Sequence, residues 1–366
     1  NMQTVKESGV AVATFQTDYD DEVGFAAKRW LIDRGRDRAN GNKEPFAMVA
    51  SFIHPHDPYV AKPEWWNLYS DNQIDLPECK IPTEKMDPFS RRLMDGIEAS
   101  YVPLSNEEII RARRAYLANV SYFDSKVGEI VKTLKDINEI ENTLIIVTAD
   151  HGDMLGERGL WYKMNFFEHS ARVPLIFSGP GVFKGATRNA CSLVDILPTL
   201  LEVAGGGEDI LGEPIDGRSL LPLARGEKDK KNEAIGEYCA EMTPYPVFMI
   251  RRDNFKYIHC DPDPPQMYKL DEDPLEKNNL AFDSSFSSLV ENFSIEVSER
   301  WNSEKLRLDI INTQKSRRAL HSAMEAGAGE HWDYNPPSDA SQKYVRNHMD
   351  WTVAAKQYRF PPYKSK

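Results

Sequence analysis

Apolar residues recur along the middle of the chain with the period of a helix. From position 116 they are spaced three and four residues apart, so they share one helix face. Ser105 and Glu108, which precede this stretch, have the spacing of a capping box, in which each side chain bonds the other residue's backbone N–H. The pattern predicts a long helix that begins at Ser105 and buries Tyr116, Val120, Phe123, Val127, Ile130 and Leu134.

Several apolar runs have the length of strands. Residues 46–53 form one, and residues 143–149 form a second that is rich in β-branched side chains, as in a central strand of a parallel sheet. Residues 173–178 predict another strand, and residues 194–204 predict a helix that ends at a run of glycines. Helix followed by buried strand is half of a layered α/β unit, so the first part of the chain predicts an α/β core.

The pattern changes after about residue 233. Short strand-like runs follow one another closely, which predicts a small antiparallel sheet, and residues 284–325 then predict helices. The tail from about residue 331 is rich in Trp, Tyr and Pro, so we expect it to pack on another surface. The strand-like runs are 233–240, 245–251, 254–260 and 266–270.

Composition narrows the class of protein. The chain has 366 residues, of which 41% are hydrophobic and 28% charged, as in a soluble globular protein. Lys and Arg total 45 against 57 Asp and Glu, a net charge of −12, which argues against sequence-independent binding to nucleic acid. No apolar run approaches the roughly 20 residues of a membrane span. A small neutral or cationic partner fits this charge better.

The cysteines and the N-terminus bear on the compartment. The chain contains 4 Cys, without the spacing of a metal finger, and so few do not suggest a disulfide framework. We therefore expect reduced thiols and a cytoplasmic protein. The N-terminus lacks the basic start and apolar stretch of a signal peptide. Position 1 is not Met, and if the chain begins inside a longer protein this lack carries no information on export.

The first chemical constellation follows the 143–149 run. Asp150 and His151 stand where that strand would end, the edge at which open α/β sheets bind ligands. Gly152 would let the backbone approach closely, and Lys163 adds positive charge. A metal ion with a lysine suits an anionic tetrahedral group. The alternative is that Asp150 and His151 cap a loop and Lys163 is solvated.

The second constellation follows the 46–53 run. His54 and His56 alternate with Pro55, and Pro58 follows, so the backbone around both histidines is restricted. A histidine here could donate a hydrogen bond to a leaving group or to a bound oxyanion. The alternative is a proline-rich surface turn.

Aromatic residues form a third group. Aromatic faces with a carboxylate can hold a quaternary ammonium group, although tryptophans more often pack in a core or an interface. The residues considered are Trp65, Trp66, Tyr101, Trp161, Trp332 and Trp351.

Taken together, these stretches resemble the sulfatase family of the alkaline-phosphatase superfamily, and within it the enzymes that act on choline-O-sulfate. The similarity runs along nearly the whole chain from about Gln16. The tail motif NHMD is more characteristic of the choline-sulfate enzymes. The segments that carry it are 19–23 (YDDEV), 51–60, 113–130, 149–181, 194–200, 267–281 and 344–350 (YVRNHMD).

The resemblance implies an architecture and an activity. It implies an α/β sandwich like that of sulfatases and alkaline phosphatase, with a smaller C-terminal antiparallel-sheet subdomain and an oligomerising tail. We expect the core at 1–230, the subdomain at 231–330 and a tail at 331–366 that packs on a neighbouring subunit. The implied reaction is hydrolysis of choline-O-sulfate to choline and sulfate by a homo-oligomer, a dimer or tetramer.

Residue roles also follow from the resemblance. Asp150 would be a direct ligand of a divalent cation, usually calcium in this family, and His151 would serve both the cation and the sulfate. Lys163 would hold a sulfate oxygen. His56 would protonate or bind the ester oxygen.

Three further residues would contact the substrate. Glu241 would lie against the cationic choline head, and Asp350 would reach the active site of a neighbouring subunit. His54 is the less favoured of the two loop histidines for a substrate contact.

One departure from the family pattern limits these expectations. Sulfatases use a formylglycine made from Cys or Ser in C/S-x-P/A-x-R, and no cysteine here has that context. The family's early Asp-Asp metal ligands are also absent, since Asp20 and Asp21 belong to the later YDDEV motif. Either residues outside this chain supply the nucleophile and half the metal shell, or the chain is not catalytic. A phosphonate or phosphate monoester hydrolase, or another sulfatase of the same superfamily, is a further alternative.

Overall fold

The computed structural model describes residues 2–207, 212–228, 231–326, 351–357 and 359. Its helices are Gln3–Lys6 (α1), Phe15–Ala39 (α2), Pro63–Trp66 (α3), Pro88–Gly96 (α4), Asn106–Asp136 (α5), Glu168–Ala171 (α6), Ile196–Val203 (α7), Leu221–Ala224 (α8), Ser287–Arg300 (α9), Ser303–Glu325 (α10) and Trp351–Gln357 (α11). Its strands are Gly9–Val10 (β1), Val60–Ala61 (β2), Ile145–Thr148 (β3), Leu175–Ser178 (β4), Glu233–Tyr238 (β5), Val247–Arg252 (β6), Phe255–Cys260 (β7) and Gln266–Lys269 (β8). None of the helices in these residues has the length and apolarity needed to cross a bilayer.

Helix α5 begins where the sequence predicts. The Ser105 Oγ accepts the Glu108 N–H at 3.2 Å, and a Glu108 carboxylate oxygen accepts the Ser105 N–H at 2.7 Å. The predicted buried face is wrong in part, since Val120 is 40% exposed. Small side chains let α5 lie close to α2 and β2, so the residues it buries are Ala112, Ala115, Ala118, Asn119, Tyr122, Thr133 and Leu134.

Two strand predictions are corrected by the structure. Residues 46–53 adopt no strand, and Val49 is 90% exposed. Strand β3 is not in a parallel pair: it lies antiparallel to β4, with Ile145 opposite Ser178. Apolar, β-branched composition favours a strand but does not encode the direction of its neighbour, which depends on distant residues.

The C-terminal sheet is confirmed as antiparallel. Its order is β5-β6-β7-β8, and each strand pairs with the next along the chain. Strand β6 is buried on both faces: Val247 and Met249 face one core cluster, while Phe248 and Ile250 face another that contains Phe293 of α9. This double burial explains why its apolar residues are consecutive rather than alternating. The predicted helices at 284–325 are present as α9 and α10.

A buried ion cluster joins this sheet to the rest of the chain. Lys256 of β7 is 1% exposed, and its Nζ lies 2.5 Å from a Glu168 carboxylate oxygen and 2.9 Å from one of Glu276. The same ammonium donates to the Phe166 carbonyl oxygen at 2.8 Å. Buried charges need this degree of pairing to offset their lost hydration. The cluster therefore fixes the segment that follows Lys163 against the sheet.

The predicted tail falls mostly outside the described residues, and Trp332 and Asp350 lie there. Helix α11 is described, and the Trp351 ring meets the Phe15 ring of α2 edge-on, with centroids 4.9 Å apart. Lys356 Nζ also lies 3.1 Å from a Glu7 carboxylate oxygen. Helix α11 thus packs beside the start of α2.

Candidate active site

Helix α2 holds the histidine-containing loop at residues 53–58. The buried Asp20 carboxylate accepts the backbone N–H groups of the first two loop residues, at 2.7 and 3.0 Å. One turn earlier, Gln16 donates to the carbonyl oxygens of Asp57 at 2.7 Å and His56 at 3.1 Å. Two side chains on one face of α2 therefore hold the first and the second half of the loop by hydrogen bonds.

The loop presents His56 to Lys163. The Nζ of Lys163 lies 2.5 Å from Nε2 of His56. On the other side of the ring, Nδ1 lies 2.8 Å from the Asp57 carbonyl oxygen and 3.1 Å from its carboxylate. Burial opposes the charged imidazole, but the Asp57 carboxylate outweighs it and raises the pKa of His56.

Asp57 is held in its charged form. Its burial alone would raise the pKa of the carboxyl, but the hydrogen bond and charge of His56, together with Lys163, bring that pKa below its ordinary value. The negative charge of Asp57 therefore faces two cationic or protonatable groups from separate parts of the chain.

His151 joins the same group. Its ring centroid is 5.8 Å from that of His56, and its Nδ1 lies 2.8 Å from the Gly152 carbonyl oxygen, to which it can only donate. Burial, with the charges of Lys163 and His56, lowers the pKa of His151. The ring is therefore neutral near pH 7, with the lone pair on Nε2, the form that binds metals.

Asp150 offers the carboxylate of a metal site. Its side chain is 87% exposed, and its carboxylate accepts the His151 N–H at 2.9 Å. Among the described residues, no group of three or more His, Cys, Asp or Glu side chains could hold a metal ion. Asp150 and His151 have suitable donor atoms for a metal ion but form only part of a coordination shell.

Gly152 fixes the geometry of this turn. Its N–H donates to the Ser170 carbonyl oxygen at 2.7 Å, and a Cβ at this position would come within 2.1 Å of the His169 carbonyl oxygen. A side chain cannot be accommodated against rigid backbone at that distance. The glycine therefore allows residues 152 and 170, which flank the segment that carries Lys163, to be joined by a backbone hydrogen bond.

Sequence reasoning missed Asp153. This carboxylate is partly buried, accepts the Tyr59 hydroxyl at 2.7 Å, and accepts the backbone N–H groups of Leu155 and Tyr162 at 2.9 and 3.1 Å. Burial raises its pKa to about 6. Asp153 thereby links Tyr59, just after the histidine loop, to Tyr162, the residue before Lys163. Its place two residues after His151 was the one signal in the sequence that could have identified it.

The structure places His54 apart from His56. Its side chain is 0% exposed, Nδ1 lies 2.6 Å from an Asp20 carboxylate oxygen, and the ring meets Tyr122 edge-on at 5.0 Å. A substrate contact through His54 would require this buried ring to be uncovered. The geometry therefore favours a role in anchoring the loop.

Glu241 is exposed and lies on the connection between β5 and β6. Tyr238 donates its hydroxyl to the Glu241 carboxylate at 3.0 Å. The next residue, Met242, packs against the cluster that contains Tyr162, the residue before Lys163. The contact of the Glu241 side chain thus lies within the β5–β6 connection, whereas Asp350 lies outside the described residues.

The aromatic residues have separate packing roles. Trp161 is 3% exposed and packs on Tyr59 with ring centroids 5.7 Å apart, whereas Tyr101 is 71% exposed. The Arg114 guanidinium stacks over Trp66 at 4.0 Å from the ring centroid. Trp161 and Trp66 therefore act in packing, and Tyr101 is exposed.

Comparisons with known proteins agree with these motifs. A family model described as Sulfatase matches residues 6–206. A second, described as N-sulphoglucosamine sulphohydrolase, C-terminal, matches residues 156–303. A third, described as Choline sulfatase enzyme C terminal, matches residues 308–360.

Curated relatives extend beyond this chain. A choline-sulfatase of Rhizobium meliloti (strain 1021) is 39% identical over 99% of the chain and 71% of its own length. An arylsulfatase K of Danio rerio is 28% identical over 93% of the chain and 65% of its own length. The chain therefore spans about two thirds of the length of these relatives.

Solved structures share the fold. A phosphonate monoester hydrolase, SpPMH from Silicibacter pomeroyi, has a TM-score of 0.64 and 24% identity, covering 76% of this chain and 59% of that one. A putative sulfatase from Bacteroides thetaiotaomicron VPI-5482 has a TM-score of 0.60 and 24% identity, covering 76% and 62%. At this identity the likeness concerns the fold alone, and it confirms the expected sulfatase-like architecture.

Proposed function

Because this chain belongs to the sulfatase family, we propose that the protein containing it hydrolyses choline-O-sulfate to choline and sulfate. The observation that carries the proposal is the convergence of His56, His151 and Lys163 from two distant segments. Two imidazoles beside an ammonium group suit a sulfate ester, which has negative oxygens to bind and an ester oxygen to protonate. The 39% identity to a choline-sulfatase along the chain supports the substrate.

Each group has a role that follows from its surroundings. The Lys163 ammonium would bind a sulfate oxygen and stabilise the charge that develops there. His56 in its imidazolium form, which carries protons on both ring nitrogens, would give its Nε2 proton to the ester oxygen as the bond to sulfur breaks, and the neutral ring would keep its Nδ1 proton. An alkoxide is a poor leaving group without that proton. Asp57 balances the charge of both groups.

A divalent cation, calcium by family likeness, would bind at Asp150 and His151. When bound it would neutralise part of the charge on the sulfate. Carboxylate oxygen is a ligand that calcium prefers, while the imidazole is a softer donor. The remaining ligands would come from residues beyond those described.

The formylglycine nucleophile is also proposed to lie outside these residues, since no cysteine here has the required context. Exposed apolar side chains in residues 46–53, on β4, on α7 and just before α7 support the presence of further residues that cover them. These include Val49 at 90%, Ile176 at 56%, Val194 at 49% and Leu197 at 47% exposure.

Substrate selection and assembly complete the proposal. Glu241 would face the trimethylammonium head, and Asp350 would contact the substrate of a neighbouring subunit. The tail at 331–366 would then join subunits into a dimer or tetramer, beyond a core at 1–230 and a subdomain at 231–330. The match of residues 308–360 to a choline sulfatase C-terminal family supports a specialised tail.

The test is sulfate release by the full-length protein. We expect turnover of choline-O-sulfate with a higher kcat/KM than 4-nitrophenyl sulfate, and loss of activity in Lys163→Met. A folded full-length protein that releases no sulfate from either ester would contradict the proposal and favour a non-catalytic chain.

A second candidate function is hydrolysis of phosphonate or phosphate monoesters. It is favoured by the fold shared with phosphonate monoester hydrolases, and Lys163 could bind either oxyanion. Comparing turnover of phenyl phosphonate and phosphate esters with that of sulfate esters decides between them.

A further inference from the structure

Gln16 is a buried polar residue that the proposed reaction does not use. It is 2% exposed, and its Nε2 donates to the carbonyl oxygens of Asp57 at 2.7 Å and His56 at 3.1 Å. Both bonds are made to the second half of the loop, whereas Asp20 bonds the backbone at its beginning. A buried amide with such partners is costly to leave unbonded, so its position and that of the loop carbonyls are coupled.

The Asp57 carbonyl oxygen connects Gln16 to the imidazole of His56. It accepts Gln16 Nε2 from one side and lies 2.8 Å from His56 Nδ1 on the other. Both oxygens beside Nδ1, the carbonyl and the Asp57 carboxylate, are acceptors, so Nδ1 carries a proton. Nε2 is then the nitrogen that faces Lys163.

We infer that Gln16 is a positioning residue for His56. By fixing the Asp57 carbonyl oxygen, it sets the rotation of the imidazole and keeps the Nδ1–H form in the neutral ring, so that Nε2 points to Lys163 and to the ester oxygen. The inference rests on the proposed function for its consequence in catalysis, but the hydrogen-bond chain itself does not depend on the substrate.

The same helix offers a matched control. Asp21 holds the segment that follows the loop and β2 through Lys62 at 2.6 Å, and it also accepts Lys126 at 2.6 Å and the Tyr122 hydroxyl at 2.8 Å. None of these three partners is His56 or Asp57. Asp21→Asn therefore weakens the attachment of the segment after the loop to α2 and leaves the bonds to the carbonyl that orients the imidazole in place.

The first readout is the tautomer of His56 in the full-length protein. ¹⁵N-histidine NMR at about pH 9, where imidazoles are neutral, distinguishes a protonated Nδ1 from a protonated Nε2. His56→Gln assigns the signal. We expect the Nδ1–H form in the wild type and in Asp21→Asn, and a mixture of both forms in Gln16→Met, which keeps the side-chain length without a donor.

The second readout is kinetic. We expect Gln16→Met, which removes both hydrogen bonds to the loop, to lower kcat for choline-O-sulfate about tenfold with little change in KM. The loss should be smaller for 4-nitrophenyl sulfate, whose leaving group needs no proton. If Gln16→Met folds poorly, Gln16→Asn, which withdraws the amide by one methylene, gives the same comparison.

Failure of the inference on Gln16 can be distinguished from failure of the proposed function. An unchanged His56 tautomer in a folded Gln16 variant overturns the inference, as does an equal change in Asp21→Asn. Loss of the Nδ1–H form in a protein without sulfatase activity would support the hydrogen-bond chain and count against the proposed function alone.

Discussion

The Nζ of Lys163 lies 2.5 Å from Nε2 of His56, although 107 positions separate the two residues in the chain. No local pattern relates them. Helix α2 holds His56 from one side, and the backbone tie at Gly152 holds the segment of Lys163 from the other. The site therefore depends on two separate supports that must be in place together.

This pairing predicts different effects for its two members. His56→Gln should lower kcat for choline-O-sulfate by about 10²- to 10⁴-fold, because proton transfer to the ester oxygen is lost. The same variant should retain much more of its activity on 4-nitrophenyl sulfate. Lys163→Met should lower kcat/KM for both esters, since both present the same sulfate oxygens. Steady-state kinetics on the two substrates tests this, and equal losses in His56→Gln would refute the assigned proton donor.

Glu241 should affect one substrate only. Glu241→Ala removes a carboxylate from the proposed site of the cationic head, so KM for choline-O-sulfate should rise at least about tenfold, corresponding to about 1.4 kcal/mol. KM for an aryl sulfate should change little. Glu272→Ala, which removes an exposed carboxylate paired with Lys269, is the control. Parallel changes on both esters would remove Glu241 from the substrate site.

Lys256 should matter for stability rather than for chemistry. Lys256→Met leaves the carboxylates of Glu168 and Glu276 buried without their cation, and we expect a loss of about 3–5 kcal/mol in the free energy of unfolding. Adding Glu276→Gln should restore part of it, because one buried charge is then gone. Urea unfolding measures both variants. Lys269→Met, at an exposed ion pair, should change stability far less, because water and salt screen such a pair.

Asp21 should contribute to stability above acid pH. Burial alone would raise the pKa of Asp21, but hydrogen bonds from Lys126, Lys62 and Tyr122 hold it at about 2, below the ordinary value of 3.8. Its contribution is therefore complete above about pH 4 and is lost as the pH falls through about 2.

The corresponding measurement compares thermal unfolding of wild type and Asp21→Asn across this range. The difference between them should be largest near neutral pH and should shrink toward pH 2. A constant difference would mean that Asp21 is not the group responsible.

The sequence was sufficient to predict features that depend on neighbouring residues. The capping box at Ser105 and the close succession of strands from Glu233 are local signals, and both are confirmed. The direction of β3 was predicted wrongly because it depends on which strand lies beside it, and here that strand is β4.

The candidate site likewise contains residues with a local sequence signal and residues whose role depends on distant parts of the chain. His56, His151 and Lys163 stand in recognisable motifs, and the structure brings them together. Gln16 and Asp153 escaped notice because their importance comes from burial and from bonds to distant backbone. Single polar residues carry no sequence signal for such contacts.

The burial of β6 on both faces has a consequence for truncation and for thermal unfolding of the protein. Cutting the chain near residue 230 would strip one side of the strand and leave Val247 and Met249 in water, while Phe248 and Ile250 stayed covered by α9. The C-terminal sheet is therefore shared by two hydrophobic cores, one on each face. Both halves should melt in a single calorimetric endotherm, and the C-terminal piece expressed alone should aggregate.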